Sequence, residues 1–303
     1  MKILLTNLHL VNPLGSEIWT WTIAKELLRR KYKVDVFTSK KGPWLNYMVS
    51  KGVGTISISR RNRSRLRLKY DLIISNHSFE LNRSCNFISK VNSDKIILMT
   101  HGRGSLETPL NLDSENIKKV AISKETFDFR KKEGFKIDSI IPNPVDQQWF
   151  DLSVAKEFKE VLWGNHRHEC PYLLKFYLSK AGIKLIGPFR KFPPERIIKE
   201  ISNCGMVFGT GRWIYENMPS KICIIADSNN NLGWINKDNY EYIQDYNMTS
   251  RAIAGKASNL DLSWEKMIDK LFSLELNLII EETRQIALDK LHSKVIVDSL
   301  LSL

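Results

Sequence analysis

Cysteine is scarce in this chain, with four in 303 residues. Cys85, Cys170, Cys204 and Cys223 show no paired spacing, which excludes a disulfide-stapled scaffold and fits thiols kept reduced in a cytoplasmic compartment. Long apolar runs are missing too. None approaches the ~18 residues that a membrane-spanning helix needs. The opening Met1-Lys2-Ile3-Leu4-Leu5 is soon interrupted by Asn7, His9 and Asn12, so it reads as a first β-strand and not as a signal peptide. There is no repeat of solenoid length and no low-complexity tail. Acid is the minority charge: 33 Asp and Glu face 46 Lys and Arg, a net charge of +13. Such an excess does not specify a fold, but it favours an anionic partner: a nucleotide, an anionic membrane surface or a nucleic acid. A hydrophobic content of 43% with 10% aromatic residues excludes a disordered chain. The length suits two α/β domains of about 150 residues each.

Short apolar runs alternate with helical periodicity, the pattern of a parallel sheet with crossover helices. In the first half the strands are expected at 2–7, 33–38, 54–59, 71–75, 95–100 and 118–123. Helices are expected at 16–30, 80–90 and 124–133, the first with Trp19, Ile23, Leu27 and Leu28 at helical spacing. Proline-bearing Ile141 to Asp146 reads as an extended linker. A second set of strands follows at 160–163, 184–187, 206–208 and 222–226, with helices at 170–182, 193–202, 212–218 and 238–244. Two more helices, 262–273 and 278–292, close the chain. The densest basic run, Arg60 to Lys69, contains no acid. It reads either as a solvated connection or as a docking patch for a polyanion, lipid or nucleic acid alike.

Two strand–glycine–helix units carry the functional signal. Gly209-Thr210-Gly211-Arg212 lies between the apolar run Gly205 to Phe208 and a helix that holds Glu216. Glycines let the chain turn sharply and approach a ligand, and a new helix presents free N–H groups to an anion. Leu14-Gly15-Ser16-Glu17 repeats the idea near the start, after Lys2 to Asn7 and before the strand Lys33 to Thr38.

These units, with Ile141-Pro142-Asn143-Pro144-Val145-Asp146 and Gly233-Trp234-Ile235 followed by Asn247 to Arg251, resemble glycosyltransferases of the GT-B fold, in particular the family 4-like group. The resemblance spans most of the chain in the expected order. It implies an α/β GT-B fold of two Rossmann-like domains that face each other across a cleft. Residues 1–145 would form the acceptor-side domain and 146–280 the nucleotide-sugar domain. Residues 281–303 would form a terminal helix that packs back on the first domain. It further implies a nucleotide-diphospho-sugar donor as substrate, with no cofactor and no bound metal, and a retaining transfer to a hydroxyl of a glycan or lipid-linked glycan. The chain would act in the cytoplasm or peripherally at the inner membrane face. A hydroxylated base in DNA is the alternative acceptor. A nucleotide-sugar epimerase and a non-catalytic nucleotide-sugar or polyanion binder are the readings from other classes.

Under that resemblance Glu216 corresponds to the second glutamate of a Glu-x7-Glu motif and holds the nucleotide ribose. The first glutamate is replaced by Phe208, which leaves the donor sugar and the stereochemical outcome open. The leaving diphosphate needs fixed positive donors. Gly209, Thr210, Gly211 and Arg212 are candidates, as are Arg167, Lys175 and Arg190, with Gly15 and Ser16 approaching from the first unit. His101, just past the strand Leu98-Met99-Thr100, is the candidate for orienting the donor or handling the acceptor proton. His77 is a second histidine of this kind. No Asp-x-Asp pair is present. His166, His168 and Cys170 alternate without a distant partner set, so no metal site is expected.

Overall fold

The computed structural model describes residues 1–56, 69–77, 92–105, 115–154, 159–164, 169–187, 194–227, 231–249, 251, 263–272 and 275–303. The chain divides into two compact units, Met1–Pro144 with Ser293–Leu303, and Val145–His292.

In the first unit the elements run β1 (Lys2–Leu10), α1 (Gly15–Arg29), β2 (Lys33–Lys41), α2 (Pro43–Ser50), β3 (Gly54–Thr55), β4 (Lys69–Tyr70), β5 (Leu72–Ser75), β6 (Asn92–Ser93), β7 (Ile96–Thr100), β8 (Ile117–Ala121), α3 (Lys124–Lys132) and β9 (Ser139–Ile140). The main sheet has the order β3-β2-β1-β5-β7-β8-β9, and its pairings are parallel. Parallel strands are covered on both faces, which is why Leu72-Ile73-Ile74-Ser75 is buried throughout. Helix α1 places Trp19, Ile23 and Leu27 on one face, at i, i+4 spacing, against Ile3, Leu5 and Val34 of the strands. Each such side chain contributes about 1.5–3 kcal/mol on burial. The chain leaves β1 toward β2 on one side and returns to β5 on the other. The crevice outside the carboxyl ends of β1 and β5 is therefore the topological switch point of this sheet.

The second unit runs α4 (Gln147–Phe150), β10 (Glu160–Trp163), α5 (Tyr172–Lys180), β11 (Lys184–Ile186), α6 (Pro194–Glu200), β12 (Cys204–Gly209), α7 (Arg212–Asn217), β13 (Ile222–Ala226), β14 (Asn231–Trp234), α8 (Tyr240–Asp245), α9 (Trp264–Phe272) and α10 (Leu276–Lys290). Its sheet has the order β11-β10-β12-β13-β14, with β14 antiparallel to β13. The switch point lies between β10 and β12.

The strand expected over 54–59 is present at Gly54–Thr55, and the Ile56 N–H still donates to the Val36 carbonyl at 3.1 Å; residues 57–68, which hold most of the basic run, lie outside the described residues, as does the helix expected at 80–90. Ile141 to Asp146, expected as an extended linker, carries the crossing from the first unit to the second at Pro144–Val145, and it is largely buried. Asn143 and Val145 are buried, Val145 N–H donates to the Leu291 carbonyl at 2.7 Å, and the Asp146 side chain caps α4. The return to the first unit begins at Ser293 and not at 281. Helix α10 belongs to the second unit because Ala287 and Leu291 sit in its core, while Thr283 and Arg284 donate to the Met218 and Pro219 carbonyls at 3.3 and 2.8 Å. A separate helix, α11 (Ser293–Ser302), buries Ile296, Val297 and Leu300 in the core of the first unit.

Candidate active site

At the switch point of the first sheet, the carboxyl-terminal half of β1, the ends of β5 and β7 and the start of α1 bring polar side chains together. Asn7 lies on β1, Asn76 just after β5, His101 just after β7, and Thr20 in the second turn of α1. Asn7, Thr20 and Asn76 are buried. The Thr20 hydroxyl donates to the Ser16 carbonyl at 2.8 Å and accepts from the amides of Asn7 at 2.9 Å and Asn76 at 2.6 Å. His101 Nε2 lies 2.9 Å from Asn76 Oδ1, and the His101 ring meets the edge of Trp19 with centroids 5.4 Å apart. Below this layer Thr6 and Ser75 share a hydrogen bond of 2.7 Å. The loop after β7 is held by Arg130 of α3, whose Nη2 donates to the carbonyls of Gly102 and Gly104 at 3.0 and 2.7 Å.

The start of α1 lies in the same crevice. Its N-cap position, Leu14, offers no side-chain cap, so its first N–H groups gain no side-chain partner there. Gly15 has open space where a Cβ would stand. Ser16 donates to Glu17 Oε2 at 3.0 Å. Glu17 is buried, and burial raises its carboxyl above the usual range against the lowering effect of hydrogen bonds from its own backbone and from Ser16. His77 sits beside this site and not in it. Its Nδ1 accepts from the Leu8 N–H at 3.3 Å, and burial, aided by the neighbouring His9, lowers its pKa to about 4.

At the switch point of the second sheet, Gly164 follows β10 and donates to the Phe208 carbonyl at 2.8 Å. A Cβ on Gly164 would stand 2.7 Å from the Trp213 ring, so only glycine admits this approach. Gly209 ends β12 and has ordinary space around it. The conformational demand falls on Gly211, with φ 61° and ψ −129°, a region that side chains avoid. The Gly211 N–H donates to the Met248 carbonyl at 2.7 Å and so is already engaged. Arg212 and Glu216 face each other one turn apart on α7: Nε and Nη2 both donate to Glu216 Oε1, at 3.1 and 2.7 Å. Glu216 is buried, and Arg212 Nη1 is buried with no hydrogen-bond partner among the described residues. Phe208 is wholly buried beside Trp264, with ring centroids 6.3 Å apart, so the position of the absent carboxylate is part of the core.

Among the remaining candidates, Thr210 lies in the turn, half-buried, and Lys175 is exposed on α5 beside the exposed Tyr172, Leu173 and Phe176. Arg167, Arg190, His166 and His168 lie outside the described residues. Among the described residues no group of three or more His, Cys, Asp or Glu gathers as a metal site, and no helix is long and apolar enough to cross a membrane.

No family model matches the chain, and no curated protein matches it in sequence. Solved structures do match, over the whole chain. An α-glucosyltransferase in complex with UDP and a 13-mer DNA containing an HMU base superposes with a TM-score of 0.65 at 9% identity, covering 100% of this chain and 98% of that one. Anabaena Alr3699/HepE, in complex with UDP and glucose, gives 0.60 at 14% identity with the same coverage. T4 phage BGT in complex with its UDP-glucose substrate gives 0.51 at 11% identity, covering 100% and 99%. The likeness is one of fold. It bears out the expected fold class, α/β with parallel sheets, shared with GT-B glycosyltransferases.

Asn7, Thr20 and Asn76 escaped the sequence reading. A signal for two of them was present. Three strands carry a similar triplet, Leu5-Thr6-Asn7 within β1 and Ile74-Ser75-Asn76 and Met99-Thr100-His101 at the ends of β5 and β7, each passing from apolar residues to a hydroxyl and then to a side chain with a nitrogen. A polar residue at a strand's carboxyl end is placed where ligands bind in such sheets.

Proposed function

We propose that this protein is a glycosyltransferase that moves a sugar from a UDP-sugar to a hydroxyl acceptor. The observation that carries the reading is the fold likeness along the entire chain to proteins whose structures hold UDP or UDP-glucose. In this reading the second unit takes the nucleotide. Glu216 Oε1 is held by Arg212, which leaves Oε2 to accept from the ribose hydroxyls, and the unpartnered Arg212 Nη1 is a donor suited to an anion. Gly209, Thr210 and Gly211 let the diphosphate approach the backbone. Lys175, Arg167 and Arg190 are further candidates for the leaving-group charge. The crevice of the first unit, with His101, Gly15 and Ser16, serves the transferred sugar and the acceptor. Retention, metal-independence and a glycan or lipid-linked glycan acceptor come from the family resemblance.

A second acceptor is favoured by two observations: the DNA bound to the α-glucosyltransferase neighbour and the net charge of +13. A hydroxylated base in duplex DNA would have to leave the stack to be glycosylated. The test is thermal stabilisation by a panel of nucleotide sugars, followed by transfer of radiolabelled sugar to 5-hydroxymethylated duplex DNA and to membrane glycan extracts. A hydrogen bond to a charged group is worth about 1.5–3 kcal/mol, so Glu216→Gln weakens UDP-sugar binding about 10- to 150-fold. Binding without transfer or slow donor hydrolysis would instead make the chain a nucleotide-sugar binder. No stabilisation by any nucleotide sugar would overturn the reading.

A further inference from the structure

We propose that Thr20 is a positioning residue that, through Asn76, fixes which nitrogen of His101 carries the proton. A threonine hydroxyl has one hydrogen and two lone pairs. The Ser16 carbonyl can only accept, so the contact at 2.8 Å takes the one hydrogen of Thr20. Both remaining contacts of Thr20 Oγ1 must then be received from donors: the amide of Asn7 at 2.9 Å and the amide of Asn76 at 2.6 Å. Asn7 is oriented independently, since its Oδ1 accepts from the His9 N–H at 3.1 Å.

Once the Asn76 amide nitrogen faces Thr20, its Oδ1 faces His101, 2.9 Å from Nε2. An amide oxygen cannot donate, so Nε2 must carry the proton. A flipped Asn76 would set its oxygen against the Thr20 lone pairs with no hydrogen left between them. Because Asn7, Thr20 and Asn76 are buried, water does not compete to relieve that mismatch. Trp19 restrains the ring from another side, its plane at 82° to the imidazole. The neutral ring therefore offers Nδ1 as its acceptor atom. The consequence for turnover rests on the glycosyltransferase reading, in which His101 meets the sugar or the acceptor hydroxyl. The tautomer itself does not rest on it.

Long-range proton–nitrogen NMR correlation on the full chain with 15N-labelled histidine reads the tautomer directly, without substrate. Wild type is expected to show the Nε2–H pattern for His101 above its titration range, and Thr20→Ser, which keeps the hydroxyl, to retain it. Thr20→Val removes the hydroxyl at nearly equal volume and is expected to give a mixture of tautomers. His77, whose Nδ1 accepts from Leu8, serves as an internal control that should not change. Should Thr20→Val fail to fold, Asn76→Ala removes the link instead, with the same expected loss of preference. With UDP-sugar, kcat in Thr20→Val is expected to fall about 10- to 100-fold, a part of the roughly 100- to 10,000-fold that a positioned acid or base contributes, with KM for the donor unchanged. An Nδ1–H ring in wild type, or an unaltered tautomer in folded Thr20→Val or Asn76→Ala, would overturn the proposal. A fixed tautomer in a protein that turns over no nucleotide sugar would leave the relay standing and remove the functional reading.

Discussion

His77 and the Arg212–Glu216 pair show how much a single side chain here depends on its surroundings. His77 is held neutral by burial and by the charge of His9, so its pKa of about 4 lies below the ~6.5 of a free imidazole. The unfolded chain therefore takes up this proton first as pH falls. The stability that neutral His77 provides is complete above about pH 6.5, declines between 6.5 and 4, and is fully lost below. The difference amounts to about 3 kcal/mol across the whole window. Urea unfolding at pH 7.5 and pH 5 is expected to show this decline in wild type and a visibly smaller one in His77→Gln. Equal declines would mean that other groups dominate. Burial of His9, with Lys40 nearby, lowers its pKa as well, so the residual slope of His77→Gln has the same sign. For Arg212 and Glu216 the issue is pairing. Both side chains are largely buried, and Oε1 receives two guanidinium hydrogen bonds. Arg212→Leu leaves a buried carboxylate without its cation and is expected to cost about 3 kcal/mol in denaturant unfolding. The double variant Arg212→Leu/Glu216→Leu should recover much of that loss.

At the scale of elements, the terminal helix α11 carries more of the first unit than its position at the end of the chain suggests. Leu300 is wholly buried, and Arg30 ties the helix down through Asp298 Oδ1 at 2.6 Å and the Lys294 carbonyl at 2.9 Å. Leu300→Ala is expected to destabilise by about 2–5 kcal/mol, measured by urea unfolding. Leu278→Ala on α10, where the side chain is half exposed, is expected to cost well under 1 kcal/mol. The strands were legible because parallel pairing buries both faces, so Ile222 to Ala226 and Leu72 to Ile74 stand out as unbroken apolar runs. The break between α10 and α11 was not, since Leu291 and His292 carry neither glycine nor proline. Helix α2 escaped notice because its eight residues are too few to show a period, although Pro43 at its first turn is a start signal. In the candidate site the glycine turn and His101 could be read from local sequence. The Asn7–Thr20–Asn76 network could not, because Thr20 is separated from Asn7 by 13 positions and from Asn76 by 56, and only the sheet topology brings them together.

For the whole molecule the decisive fact is that the chain crosses between the units twice, at Pro144–Val145 and at His292–Ser293. Each unit has a core of its own: Trp19, Val36 and Leu300 in the first, Trp149, Val207 and Tyr240 in the second. Two cores joined by two short crossings can melt separately unless a ligand or a shared surface couples them. The assignment of the nucleotide to the second unit then has a calorimetric consequence. UDP-glucose at 100 times its Kd adds about 2.7 kcal/mol to whatever unit binds it. For a unit of about 150 residues this raises the melting temperature by roughly 5–10 °C. Differential scanning calorimetry should therefore show one component moving up with UDP-glucose while the other stays in place. Leu300→Ala identifies the components, because it lowers only the transition of the unit that contains α11. If UDP-glucose moves the component that Leu300→Ala lowers, the nucleotide belongs with Gly15, Ser16 and His101, and Glu216 loses its role. If both components move together, the donor is gripped by both units at once. Only a shift confined to the other component supports the division of labour proposed for the two crevices.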